Sequence, residues 1–123
     1  MPLQNLEHYV AKAEDALDNI SKANTDMCGA MNEYTEAVSK LIAHKHLIES
    51  KKNNLIASGS IVGKNADERS ASLWIAIPEY DSLVDLEISA SILRNKIDMA
   101  KSNLEYWKST LELNSTIIKE LQS

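Results

Sequence analysis

Apolar residues recur along the first half of the chain at alternating intervals of three and four. With Leu3 as position a and Leu6 as position d of a seven-residue repeat, the a row is Leu3, Val10, Leu17, Asn24, Met31, Val38, Lys45 and Lys52. The d row is Leu6, Ala13, Ile20, Met27, Tyr34, Leu41, Ile48 and Leu55, and thirteen of these sixteen positions are apolar. Such spacing lays a stripe along one side of a helix, and a sustained repeat of seven keeps that stripe turned toward a partner helix. Ala16, Ala23, Ala30 and Ala37, one residue before each a, widen the stripe with small side chains that allow another helix to approach closely. A second run follows Pro78, with Leu83, Ala90, Ile97, Leu104, Leu111 and Ile118 at a and Leu86, Leu93, Ala100, Trp107, Asn114 and Leu121 at d.

The pattern predicts an all-α protein: a long antiparallel, coiled-coil-like helical hairpin forming a single domain over residues 1–123. Arm one spans 3–55, the turn 56–65 and arm two 66–121, so each arm is about fifty residues, or roughly 80 Å at 1.5 Å per residue. In that pairing Leu3 lies near Leu121. The turn is placed by Gly59 and Gly63 in Ser58-Gly59-Ser60-Ile61-Val62-Gly63. Asn65 then reads as a helix N-cap with Glu68 as its return partner in a capping box. Pro78 should kink or break arm two near Ile77, because a helix-interior proline loses a hydrogen bond and clashes with the preceding turn. Asn24-Thr25-Asp26 with Gly29 is a weak point at which arm one could split, but the heptad phase runs through it unbroken.

Two helices leave a long apolar flank in water, so the hairpin is expected to assemble into a homo-oligomeric helical bundle, a dimer or higher. Leu17, Asn24, Met31, Leu93, Trp107 and Asn114 are the expected oligomer core, with the two asparagines as register-fixing polar residues. Composition agrees with helix: three glycines, two prolines and no phenylalanine leave little for turns or strands. A net charge of −5 argues against a general polyanion binder. The charge is uneven, however, since residues 40–69 carry six basic and three acidic side chains. A lone cysteine, Cys28, cannot form an internal disulfide and fits a reducing compartment. With no membrane-length apolar run and no signal-peptide layout at the N-terminus, a cytoplasmic location without membrane contact is expected.

Chemistry is hard to find. His44 and His46, two apart on a helix, point to different sides and cannot share a metal, and His8 stands alone. Cys28 has no histidine near it in the helical pattern and reads as a small thiol flanking the core. Met27, Met31 and Met99 read as core filler rather than as an adaptable recognition surface. Glu-x-x-His, His-Glu-x-x-His, the phosphate-loop signature and Gly-x-Gly-x-x-Gly are all absent. No catalytic residue, metal ligand or cofactor is assigned, and an enzyme is not expected.

One segment stands outside the heptads: Leu73-Trp74-Ile75-Ala76-Ile77-Pro78-Glu79-Tyr80. Leu73, Ile77 and Tyr80 can face arm one, whereas Trp74 and Ile75 cannot both do so. Ile61, Val62, Trp74 and Ile75 are therefore candidate partner-binding residues, unless dimerisation buries them. Lys51, Lys52, Gly63, Lys64, Asn65 and Arg69 gather at the same end, where the amides of a helix N-terminus would suit an anion.

The stretch Gly63-Lys64-Asn65-Ala66-Asp67-Glu68-Arg69, followed by a heptad helix with Leu93, Ala100, Leu104 and Leu111, resembles a Gly-Lys-Asn-Ala-x-Glu-Arg signature of small all-helical accessory proteins of tailed bacteriophages. The resemblance covers residues 56–121 and implies origin and size more than mechanism. The leading functional expectation is a phage-encoded accessory or inhibitor protein that binds a host protein, such as a defence or DNA-processing factor, through Trp74 and the basic turn. An alternative is an oligomeric sponge for a nucleotide or phosphorylated small molecule at that turn, with nucleic acid possible but not favoured. A third is a structural hairpin module similar to the small export substrates of mycobacteria, against which the missing Trp-x-Gly turn weighs.

Overall fold

The computed structural model describes residues 2–123, with side chains from Asn5 onward, so the expected pairing of Leu3 with Leu121 lies outside the described residues. Three helices account for nearly all of it: α1 (Pro2–Ala57), α2 (Ala66–Ala76) and α3 (Glu79–Gln122). The chain divides into two compact units. One joins α1 up to Asn32 with Leu93–Ser123; the other is Glu33–Ile92.

α1 runs for 56 residues without interruption. The polar cluster that threatened to split it is absorbed into the helix, with the Thr25 hydroxyl donating to the Ser21 carbonyl (3.1 Å). Such back-bonding satisfies a residue that would otherwise compete for a cap. α1 ends in a Schellman motif. Gly59 takes the left-handed conformation (φ +71°), its N–H donates to the Ile56 carbonyl, and the Ser60 N–H donates to the Leu55 carbonyl.

The side of α1 that is covered differs from the expected stripe by one row. The row from Leu6 to Leu55 is half-buried or buried throughout, and its companion is the row Tyr9, Ala16, Ala23, Ala30, Ala37, His44 and Lys51, in which Ala16, Ala23 and Ala30 are almost fully enclosed. Of the expected a row, Val10, Leu17, Asn24 and Met31 are exposed. Alanine every seventh residue lets the α3 backbone come close, and the closer approach gains more contact than a row of larger side chains held further apart.

On α3 the expected rows are the covered ones. All twelve a and d residues are buried or half-buried, with Ala90, Leu104 and Asn114 the most enclosed. Leu93, Trp107 and Asn114, expected in an oligomer core, therefore lie in the covered side of α3 within the chain itself. Asn114 needs no second copy for its donor, since its amide donates to the Thr110 carbonyl one turn earlier (2.7 Å).

Within Glu33–Ile92, α1 and the start of α3 run antiparallel. His44 and Lys51 both reach Glu79, and Lys45 lies 3.9 Å from Glu87. α2 stops at Ala76, and Ile77, which precedes proline, is extended (φ −119°, ψ 91°). Pro78 then sits at the entry to α3, where a missing N–H loses nothing. Ile77 has no exposed surface and is the largest fully enclosed side chain of the described residues.

Candidate functional site

The irregular end of Glu33–Ile92 begins where α1 stops. After Gly59 the chain passes through Ile61 and Val62 to Gly63, whose φ of +156° and tight surroundings require glycine. A Cβ there would lie 2.7 Å from the Arg69 nitrogen and 2.9 Å from Glu68. This close approach seats the turn directly on the first turn of α2.

The α2 N-terminus is closed by its own side chains. The Asn65 side chain accepts from the Glu68 N–H (2.9 Å), and Glu68 Oε2 accepts from the Lys64 N–H (2.6 Å). This is a capping box shifted by one residue, because the return bond reaches Lys64 rather than Asn65. Asp67 and Glu68 add negative charge to that first turn. The expected anion cradle of Gly63, Lys64 and Asn65 is thus occupied by a carboxylate of the protein itself.

The basic side chains separate into two groups. Lys51 donates to Glu79 Oε1, while His44 donates from Nε2 to the Glu79 carbonyl (2.6 Å). The Lys51 ammonium, helped by Glu79's own backbone N–H, holds the Glu79 carboxyl below its ordinary 4.5 against the opposing effect of partial burial. Lys51 is therefore spent on structure. Lys52 and Arg69 have no side-chain hydrogen bond or ion pair among the described residues.

Both free cations line a cleft of about 490 Å3. One wall is Lys52 and Ile56 on the last turns of α1, the turn supplies Gly59 and Ile61, and α2 supplies Ala66, Arg69, Ser70 and Leu73. The α2 residues follow i, i+3, i+4, i+7 spacing and the α1 pair is i, i+4, so a single face of each helix meets the cavity. That spacing was available in the sequence. What the heptad rows did not convey is that α2 stands far enough from α1 to leave a cavity.

The expected partner-binding residues divide between the cleft and the open surface beside it. Ile61 lines the cleft and is half-buried, whereas Val62 is 73% exposed. Ile75 is 81% exposed, and Trp74, on the flank of α2, is 46% exposed. Trp74 is also held in place. Its ring stacks on Tyr80 with centroids 4.9 Å apart and planes 12° from parallel, and its Nε1–H donates to Asp81 Oδ1 (3.1 Å). Cys28 is exposed with no disulfide partner, and among the described residues no helix is long and apolar enough to cross a membrane. No family model, curated protein or solved structure matches this chain.

Proposed function

We propose that this chain is a non-enzymatic binding protein that docks on another protein through Val62, Trp74 and Ile75, while Ile61 lines the neighbouring cleft. The observation that carries this reading is Trp74: a large aromatic, fastened by Tyr80 and Asp81, that still leaves nearly half its surface to solvent. An aromatic held in one conformation before binding loses little entropy on contact, which is the character of an interface anchor. The resemblance to phage accessory proteins supports a host defence or DNA-processing factor as the partner, met in the host cytoplasm. A photo-crosslinking residue at Ile75 tests it in host extract. The expected result is one defined crosslinked protein, lost with Trp74→Ala while helicity by circular dichroism is unchanged; equal capture by Trp74→Ala overturns the reading.

A second proposal is self-association through α1. Val10, Leu17 and Met31 are 37%, 53% and 49% exposed at intervals of seven and fourteen, with exposed Asn24 between Leu17 and Met31. That is the spacing a supercoiled partner helix requires, and an asparagine in such a row favours one register. Light scattering should give the mass of two or more chains, falling to one with Leu17→Glu. A single-chain mass for the wild type removes this part of the proposal.

A further inference from the structure

We propose that the cleft between the end of α1 and α2 binds a small amphipathic anion, a carboxylate or phosphate carried on an apolar body. The inference stands apart from the protein-docking surface, because Val62, Trp74 and Ile75 do not line the cavity. Its apolar part rests on packing. α2 has no buried residue, and Leu73, Ile61 and Ile56 line about 490 Å3 of space. Folded interiors are close-packed, so an apolar-walled cavity of ligand size beside an otherwise thinly held helix is one that a ligand would complete.

The charged part rests on the two cations. Lys52 and Arg69 stand on opposite walls, one on α1 and one on α2, and neither has a side-chain partner among the described residues. Lys51, one residue away, is neutralised by Glu79, which leaves Lys52 and Arg69 as the cations facing the cleft. Arg69 can present its planar fork to two oxygens of a carboxylate or phosphate while Lys52 contributes a point charge. The Ser70 hydroxyl on the same face adds a hydrogen-bonding group. An inorganic phosphate lacks the apolar body that fills the space, and the α2 amides it would otherwise use are taken by Asn65 and Glu68. Charge alone is therefore insufficient, and so is grease alone.

Calorimetric titration of the full chain with octanoate, octyl phosphate, octanol and inorganic phosphate tests both halves, with methyl NMR of Ile61 and Leu73 reporting the location. Octanoate or octyl phosphate should bind and shift both methyls, the tighter of the two naming the headgroup. Octanol and inorganic phosphate should bind more weakly by about tenfold or more, the loss of one charge-assisted contact or of the buried chain. Lys52→Met with Arg69→Gln should reduce the anion to the level of octanol. Ser70→Leu, which narrows the cleft between Arg69 and Leu73 and removes the hydroxyl, should weaken binding with the melting temperature kept or raised. Octanol binding as tightly as the anions, inorganic phosphate binding as tightly as octyl phosphate, unmoved methyls, or wild-type binding by Ser70→Leu would each overturn the proposal.

Discussion

The two compact units solve helix pairing in different ways. In the unit that joins α1 up to Asn32 with Leu93–Ser123, cohesion comes from repetition: Ala16, Ala23 and Ala30 on one helix, Leu104 and Asn114 among the regular rows of the other. In Glu33–Ile92 the covered rows continue through Ile48 and Ala90, and particular contacts are added to them, with Ile77 enclosed at a helix break and Lys51 and His44 tied to Glu79. The cleft and the Trp74–Tyr80 stack both belong to this unit, at the end where α1 stops and α2 intervenes before α3, so candidate function sits where the heptad rows lapse.

The comparison can be broken most forcefully at Ile77. Ile77→Ala removes the one large, fully enclosed side chain among the described residues and should cost about 2–5 kcal/mol in denaturant unfolding, a loss that a purely repetitive fold would not concentrate at one residue. In the regular unit, neighbouring substitutions test which row is covered. Ala23→Leu should destabilise by about 1–3 kcal/mol through overpacking, whereas Asn24→Leu, on the exposed row, should not. The reverse order would restore the register expected from the sequence. Gly29→Ala should stabilise by up to about 1 kcal/mol, because Gly29 is helical and a methyl there meets nothing within 4 Å.

The smallest effect separates the units by pH. Glu79 has a lowered pKa, so its contribution to stability is complete above its ordinary 4.5 and fades as pH falls through the lower folded-state value. Lys51→Met should flatten this acid limb of the stability curve, measured by denaturant midpoints at a series of pH values. Lys45 and Glu87, 3.9 Å apart with about half of each side chain exposed, should contribute little to it.

Much of this was legible from spacing. Every a and d residue of α3 is covered as read, the N-cap at Asn65 is where the composition placed it, and α1 runs through Asn24–Gly29 as its phase implied. The register of α1 was misread because two adjacent rows are apolar. Hydrophobicity ranked Leu17 and Met31 above Ala16 and Ala30, while close approach of backbones decided for the alanines. At the candidate site, spacing required only that Trp74 and Ile75 not both face arm one, and both carry exposed surface. The pairing of Lys51 with Glu79 was not foreseen, because it joins residues on different helices across a turn. Nor was the cleft, which depends on how far α2 stands from α1.

The closed turn also bears on the order of events in folding. Between Leu55 and Arg69 the reversal is stitched by bonds that each span no more than five residues, the glycine cap of α1 on one side and the Asn65 and Glu68 bonds on the other. Helix pairing in the alanine-rich unit must instead join residues more than sixty positions apart. Short loops close at far lower entropic expense than long ones. The reversal is thus the natural nucleus, from which pairing proceeds residue by residue like a zip.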